Sequence, residues 1–427
     1  MRVINSKKVL IIGKGISGLG AARALRKTGT DCVLCDEEDF DKVFSPEFDL
    51  IVVSPSVAKT HRVFPLAEAA GTEVISEIEL GYRLCDKPVI AVTGTNGKTT
   101  VVKLMGDIFS RSRKTCVTGN VGRSFAADAT ENYDLFVTEV SSFQLENVRL
   151  FAPDIAVVTN ITPDHLDRHN SFEEYARTKL KIAQSMGKDG WLVLSANDIP
   201  AKTMAGFSPQ CNVVYTCVGG RVNGAYSLSD KFYWFDEYIC QRNQMAMRGV
   251  HNEANALSAI AAAKIAGVEN KDIIAALSEF HPDEHRVQYV DSIMGTAFYD
   301  DSKGTNIDAC VKAMQTMPSS FCLIAGGSDK GYEFDDIFLK APSNLKKVCA
   351  LGETADKIVC AAKRNGFIKV IKCLTLTEAV IEAYHSDVDA VLLSPAAASF
   401  DMFENYAARG SAFIEIVKEL KKIETRR

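Results

Sequence analysis

Val89-Ile90-Ala91-Val92-Thr93-Gly94-Thr95-Asn96-Gly97-Lys98-Thr99-Thr100 carries the strongest signal in the chain. An apolar run, Val89–Thr93, reads as a buried strand. A loop with two glycines follows, and from Lys98 the apolar Val101, Val102, Leu104, Met105 and Ile108 recur at helical spacing. Strand, glycine loop and helix in that order make a phosphate cradle. Loop N–H groups point inward at phosphate oxygens, Lys98 reaches the β- and γ-phosphates, and the Thr99 hydroxyl can ligate Mg²⁺. The loop departs from G-x-x-x-x-G-K-[ST] in one place, since Val92 stands where the first glycine would be. ATP is the expected nucleotide, held by Gly94, Thr95, Asn96, Gly97, Lys98, Thr99 and Thr100.

Phosphoryl transfer also needs hard oxygen ligands, which in parallel sheets come from the C-terminal ends of neighbouring strands. Glu139 ends the expected strand Leu135–Glu139. Asn160 and the run Thr162-Pro163-Asp164-His165-Leu166-Asp167 follow another at Ile155–Thr159. An isolated Glu or His is more often a surface residue or a helix cap, but two such strand ends beside a phosphate loop favour metal binding.

Upstream, Gly13-Lys14-Gly15-Ile16-Ser17-Gly18 lies between a strand at Val9–Ile12 and the helical run Leu19–Lys27, and Asp36 closes a second strand, Asp31–Cys35. Alone, this fingerprint suggests a dinucleotide and a dehydrogenase. The stretch ends near Cys85-Asp86-Lys87-Pro88, only half the length of a full dinucleotide fold, so a single diphosphate-bearing ligand fits better than NAD. A tight turn with no ligand is the bland reading. Further strands are expected at Leu50–Val53, Trp191–Leu194, Ala297–Tyr299, Phe321–Ile324, Lys347–Leu351 and Ala390–Leu393, with an Ala-rich helix from Asn252 to Ala266. The stretch Phe207–Tyr238 resists placement.

The alternation of short apolar runs with helices predicts an α/β protein of three domains: a Rossmann-like N-terminal domain over 1–87, a central P-loop ATPase-type parallel sheet over 88–283 and a Rossmann-like C-terminal domain over 284–427. The 427 residues, 47% hydrophobic and 24% charged, suffice for several cores. A net charge of -5 with dispersed basic residues argues against nucleic acid as a partner. The apolar run after the N-terminus is too short for a signal sequence, and no run is long enough for membrane insertion, so a cytoplasmic location is expected. Twelve cysteines lie mostly in apolar stretches and read as reduced thiols. Cys32 and Cys35 form a C-x-x-C pair without a second pair at zinc spacing.

Five ordered motifs span the chain: Thr93-Gly94-Thr95-Asn96-Gly97-Lys98-Thr99, Glu139-Val140-Ser141-Ser142-Phe143-Gln144-Leu145, Thr159-Asn160-Ile161-Thr162-Pro163-Asp164-His165-Leu166-Asp167, His251-Asn252-Glu253-Ala254-Asn255-Ala256 and Asp301-Ser302-Lys303-Gly304-Thr305-Asn306. Together they resemble the Mur ligase family, which adds amino acids to the peptide of the peptidoglycan precursor. Gly326-Gly327-Ser328-Asp329-Lys330 and Leu393-Ser394-Pro395-Ala396-Ala397-Ala398-Ser399-Phe400-Asp401 point within it to the D-glutamate-adding branch.

The resemblance implies two small-molecule substrates, UDP-N-acetylmuramoyl-L-alanine and D-glutamate, joined through an acyl phosphate by a monomer. It places the UDP end around Ile16, Ser17 and Asp36, with Asn120 on the sugar-phosphate portion. It adds Asn252, Asn255, Arg286 and Asp301 to the ATP contacts. It assigns D-glutamate to Lys303, Thr305, Lys330, Ser399 and Phe400, although Lys330 alone would pass for a solvated loop lysine. Two Mg²⁺ ions would be held by Thr99, Glu139, His165 and Lys179, with Lys98, His165 and Lys179 as the catalytic set. Ser171 and Glu174 have capping-box spacing, so Lys179 falls about two turns inside a helix, where a lysine is ordinarily a surface residue. The resemblance matches it to a lysine carbamylated by CO₂. Folylpolyglutamate synthase shares the phosphate loop but lacks such an N-terminal domain. The D-x-P-[RN] motif of the diaminopimelate- or lysine-adding ligases is absent. A non-enzymatic nucleotide switch would leave Lys303 and Lys330 unexplained.

Overall fold

Three sheets follow one another along the chain in the structure, a computed structural model that describes residues 8–197, 207, 209–247, 249–281, 284–317 and 319–425. The first contains β1 (Lys8–Ile12), β2 (Asp31–Cys35), β3 (Leu50–Val53) and β4 (Glu73–Ser76), all parallel in the order β2-β1-β3-β4. Four parallel strands fall short of the six that a full dinucleotide fold sets out for NAD, which speaks against the dehydrogenase reading.

The second sheet contains β5 (Val89–Thr93), β6 (Thr115–Gly119), β7 (Leu135–Glu139), β8 (Ile155–Val158), β9 (Trp191–Ser195), β10 (Asn212–Cys217), β11 (Gly224–Leu228), β12 (Lys231–Trp234) and β13 (Glu237–Gln241). Their order is β13-β12-β11-β10-β9-β8-β5-β7-β6. The third contains β14 (Gln288–Ile293), β15 (Thr296–Asp300), β16 (Phe321–Gly326), β17 (Leu345–Leu351), β18 (Val370–Lys372) and β19 (Ala390–Leu393), in the order β14-β15-β19-β16-β17-β18.

The body of each of these sheets is parallel, as the sequence predicts, with antiparallel strands added at one edge. β12 runs antiparallel to β11 and β13, and β14 runs antiparallel to β15. The cause is local. Ser229-Asp230 closes β11 onto β12 and Met294-Gly295 closes β14 onto β15, and all four residues have positive φ. Two-residue turns of that kind match the twist of a hairpin.

Side chains of β5 alternate between the faces of the second sheet. Ile90 and Val92 pack with the loop helix Lys98–Ser110 and the Ala-rich helix Val250–Ile265. Val89 and Ala91 pack on the opposite face with Tyr175, Ala176 and Leu180 of the helix Phe172–Leu180. The C-terminal end of β5 therefore lies between two buried helical layers. The first two sheets share one compact unit, Met1–His281, and the third belongs to another, Pro282–Arg427. Pro282 and Asp283, next to this break, lie outside the described residues. All twelve cysteines are free, and eight of them are buried, in keeping with their apolar surroundings. Among the described residues no helix is long and apolar enough to cross a membrane.

Candidate nucleotide and metal site

β5 delivers the chain into Gly94 at φ +144°, and Gly97 caps the following helix at φ +83°. A Cβ at Gly94 would collide with the Thr159 hydroxyl, and one at Gly97 with the Asn255 carboxamide. Glycine is required at both points for backbone shape and for space. The loop is also tied down at its centre. Asn160 Oδ1 accepts from Asn96 N at 2.8 Å, Asn160 Nδ2 donates to Asn96 O at 2.9 Å, and Thr159 Oγ1 donates to the same carbonyl at 2.7 Å. Thr95 Oγ1 lies 3.0 Å from the Tyr175 hydroxyl and donates to Thr162 O at 3.0 Å.

At the end of β7, the Glu139 carboxylate is buried and accepts from Thr99 Oγ1 and from Asn120 Nδ2, each at 2.8 Å. Asn120, expected on the sugar-phosphate portion of a substrate, is thus bonded to the carboxylate expected to hold a metal. Its own N–H is bonded to Glu139 O at 2.9 Å. Thr99 Oγ1 and Glu139 supply hard oxygens beside the phosphate loop, a donor set that fits Mg²⁺.

Two lysines converge on one carbonyl. Lys98 Nζ donates to Gly94 O and Thr95 O, both at 2.9 Å, while Lys179 Nζ donates to Gly94 O at 2.8 Å. Lys179 is 2% exposed, so it is no surface lysine. Burial holds its pKa well below the ordinary lysine value and the Lys98 charge pushes the same way, while Asp164 and Glu139 oppose them. Its ammonium lies 4.7 Å from the centre of the Tyr175 ring. An ammonium has no lone pair for a cation, and a neutral amine offers nitrogen where Mg²⁺ prefers hard oxygen, so Lys179 would suit that ion as an oxygen donor such as the carbamate that the resemblance implies. Among the described residues no group of three or more His, Cys, Asp or Glu is arranged to hold a metal by itself.

His165 adopts left-handed backbone, φ 51°, at the start of the short helix Leu166–His169. Such strain in a non-glycine residue is held by its surroundings and is concentrated at functional positions. Its half-exposed ring meets Phe143 edge-on at 4.9 Å, with Nε2 3.8 Å from Asp164 Oδ2. Asn252 and Asn255 lie buried in the first turns of the helix Val250–Ile265, with Asn255 Nδ2 3.3 Å from Asn252 Oδ1 and Asn255 against Gly97.

In the first sheet, Ile16 is exposed and Ser17 half-buried at the start of the helix Ile16–Lys27. Asp36 sits at the end of β2, where Oδ1 accepts from Lys14 N at 3.0 Å.

The second unit collects its expected residues at the C-terminal ends of three adjacent parallel strands, β15, β19 and β16. Lys303 and Thr305 follow β15, Ser399 and Phe400 follow β19, and Lys330 follows β16. Ser399 is buried and Phe400 is 74% exposed. Lys303 Nζ lies 5.3 Å from the Tyr406 ring and Lys330 Nζ 5.8 Å from that of Tyr332. Asp301 is buried, accepts from Ser394 Oγ at 2.6 Å and is pushed up to about 7 by that burial, with Arg286 pulling the other way. The buried Arg286 Nε makes no hydrogen bond among the described residues.

Sequence reasoning passed over several participants. Tyr175 stands four residues before Lys179, the spacing that puts two side chains on one helix face, so it was within reach. Asp164 was quoted within its motif but given no role. Arg409 had no sequence signal. Its guanidinium is 1% exposed and donates to Ser302 O, Ala397 O and Ala398 O at 2.9–3.1 Å, tying together the loops after β15 and β19.

With this geometry in place, comparison with known proteins is informative. Residues 92–263 match the family described as the Mur ligase middle domain. The UDP-N-acetylmuramoylalanine--D-glutamate ligase of Thermoanaerobacter pseudethanolicus (strain ATCC 33223 / 39E) is 37% identical over 98% of this chain and 100% of its own length. That of Streptococcus pneumoniae (strain P1031) is 37% identical over 99% of this chain and 100% of its own. Among solved structures, a pseudomurein peptide ligase type C from Methanothermus fervidus superposes with a TM-score of 0.61 at 21% identity, covering 97% of this chain and 100% of that one. The UDP-N-acetylmuramate-alanine ligase MurC from Thermotoga maritima gives 0.59 at 18% identity, covering 98% and 100%. At such identities the structures speak for the fold alone, whereas the full-length sequence matches speak for descent. The chain belongs to the Mur ligase family, among the UDP-N-acetylmuramoylalanine--D-glutamate ligases.

Proposed function

We propose that this chain is an ATP-dependent ligase that joins D-glutamate to the alanyl carboxylate of UDP-N-acetylmuramoyl-L-alanine in peptidoglycan precursor synthesis. The observation that carries the reading is the Glu139 node, where one buried carboxylate joins Thr99 of the phosphate loop to Asn120. It supports the reading because the residue expected to ligate the nucleotide's metal and the residue expected to contact the substrate share one carboxylate.

In this reading residues 1–87 bind UDP around Ile16, Ser17 and Asp36, 88–283 bind ATP, and 284–427 bring Lys303, Thr305, Lys330, Ser399 and Phe400 to D-glutamate. Arg286 and Asp301 meet the nucleotide, together with Asn252 and Asn255. The protein acts as a cytoplasmic monomer. The substrate carboxylate attacks the γ-phosphorus of ATP, the bond to the β-γ bridging oxygen breaks, and ADP leaves. The amine of D-glutamate then adds to the acyl-phosphate carbonyl, and collapse of the tetrahedral adduct expels inorganic phosphate.

Lys98 exchanges the Gly94 and Thr95 carbonyls for phosphate oxygens and spreads the charge that develops there. The loop glycines let backbone N–H groups reach the same oxygens. Thr99, Glu139, His165 and a carbamate on Lys179 would hold Mg²⁺, whose chemistry is neutralisation of phosphoryl charge. A coupled assay of phosphate release against a panel of UDP-sugar peptides and amino acids tests the proposal. Release is expected only with UDP-N-acetylmuramoyl-L-alanine and D-glutamate together, and release with L-lysine or diaminopimelate instead would overturn it.

A further inference from the structure

We infer that Lys14 is a positioning residue for the nucleoside diphosphate end of the substrate: it fixes both carboxylate oxygens of Asp36 and offsets the acidic run behind them. The inference rests on the ligase reading above and names a determinant within it that the glycine fingerprint does not contain.

Lys14 occupies a variable position of Gly13-Lys14-Gly15-Ile16-Ser17-Gly18, yet its environment is closely specified. Gly13 has φ +98°, and a Cβ there would come within 2.6 Å of Ser54 Oγ, while one at Gly18 would run into the Gly13 carbonyl. The turn therefore has one shape, and it aims Lys14 at the end of β2. Lys14 N donates to Asp36 Oδ1 at 3.0 Å, and Lys14 Nζ lies 3.1 Å from Asp36 Oδ2 and 3.9 Å from Asp39 Oδ2. One residue thus grips both oxygens of the acid that, in a cradle of this kind, receives the nucleoside.

The charge around it explains why a cation is needed there. Asp36-Glu37-Glu38-Asp39 places four carboxylates in succession after β2. Lys42 takes Asp39 Oδ1 at 2.9 Å, while Glu37 and Glu38 are exposed. A diphosphate approaching the helix start at Ile16 meets this run. Lys14 is the cation set inside the turn itself, between the expected anion and the acids. It aligns Asp36 for the nucleoside and reduces the repulsion felt by the phosphates, so its effect belongs to binding of this one substrate.

The test uses the full-length enzyme with Lys14→Met, Lys14→Arg and the double variant Lys14→Met/Asp39→Asn. Michaelis constants for all three substrates are measured at low and high salt, and binding of UDP alone is followed by calorimetry. Lys14→Met should raise KM for the UDP-substrate about tenfold at low salt, with the ratio to wild type shrinking as salt screens the acids. The constants for ATP and D-glutamate and the saturated rate should hold. Lys14→Arg should restore most of the affinity, and the added Asp39→Asn part of it. An unchanged KM for the UDP-substrate in Lys14→Met, or a rise shared by all three substrates, overturns the role of Lys14 while leaving the ligase reading intact. Wild-type enzyme that neither binds UDP nor turns over would remove the ligase reading itself, and Lys14's role with it.

Discussion

Replacing Lys179 separates a structural cation from a carbamate. Lys98 and Lys179 donate to the same Gly94 oxygen, at 2.9 and 2.8 Å, so their nitrogens are within about 6 Å of each other. Two full charges about 5 Å apart repel by about 3 kcal/mol at an effective dielectric near 20. Burial first, and the Lys98 charge after it, hold the pKa of Lys179 down, so a buried ammonium beside the phosphate-loop cation is unfavourable. A neutral amine is the form that adds CO₂, and the resulting carbamate reverses the sign, attracting Lys98 by a similar amount and offering oxygens to Mg²⁺. Loss of that attraction and of a metal ligand, about 4 kcal/mol together, corresponds to a fall in kcat of roughly three orders of magnitude. Steady-state kinetics of Lys179→Ala should show this fall, with partial rescue by acetate or another small carboxylate. Lys179→Arg should be equally slow and beyond rescue, because its cation remains. Enzyme incubated with isotopically labelled CO₂ should carry one carbamate carbon at Lys179. Fully active, well-ordered enzyme with an unmodified Lys179 would refute the carbamate and leave the residue as a charge partner for phosphate.

Other perturbations read different parts of the molecule. Lys330→Met should raise KM for D-glutamate far more than that for ATP, because a dicarboxylate needs charge-assisted donors at fixed separation; equal constants would end that assignment. Gly97→Ala must adopt φ +83° and displace Asn255, so it should lose about 2 kcal/mol of stability in denaturant unfolding and bind nucleotide poorly. Glu77 is buried, accepts from Ser124 Oγ and Ala126 N, leaves Oε2 unpartnered, and is raised to about 7 by burial, with Asp128 adding to the rise. Folded protein therefore keeps a proton that unfolded chain releases above its ordinary glutamate value near 4.5, so stability is fullest below that value and falls as pH rises to about 7, by about 3 kcal/mol in all. Glu77→Gln should remove this slope and be the more stable protein at pH 8, and parallel melting curves across pH would contradict the account.

The parallel strands were legible because buried strands of α/β sheets are written as continuous apolar runs. Asp31–Cys35, Leu50–Val53, Leu135–Glu139 and Ala390–Leu393 end where the sequence places them. The hairpins were not legible. Ser229-Asp230 and Met294-Gly295 close turns whose usual signature is Asn-Gly, and β12 and β13 mix aromatic and charged residues on a partly exposed edge. The phosphate loop declared itself through glycines and their setting. Lys179 did not, since nothing in Tyr175-Ala176-Arg177-Thr178-Lys179 tells a buried lysine from an exposed one; resemblance alone singled it out. Arg409 could not be found at all, because its partners are backbone carbonyls of segments distant in sequence.

These buried charges share a physical logic. Lys179 is held below its ordinary pKa beside another lysine, while in the second unit Asp301 is raised to about 7 and Arg409 lowered to about 10 by burial. A group in that state is unfavourable in the folded chain by itself, and residues chosen for stability alone would have replaced it with apolar packing. Asp301 follows β15, while Lys179 and Arg409 stand on helices and reach carbonyls just past β5 and past β15 and β19, where the loops of parallel strands converge. Arg286 Nε, which finds no hydrogen-bond partner among the described residues, and the two lysines sharing Gly94 O are donors of the kind that phosphate oxygens accept from. Ligands that satisfy such groups bind the folded state and not the unfolded one, so ATP analogues should raise the melting temperature in proportion to the logarithm of their concentration. The strain that makes these positions poor contributors to the ligand-free fold is the same property that lets substrate charge organise them.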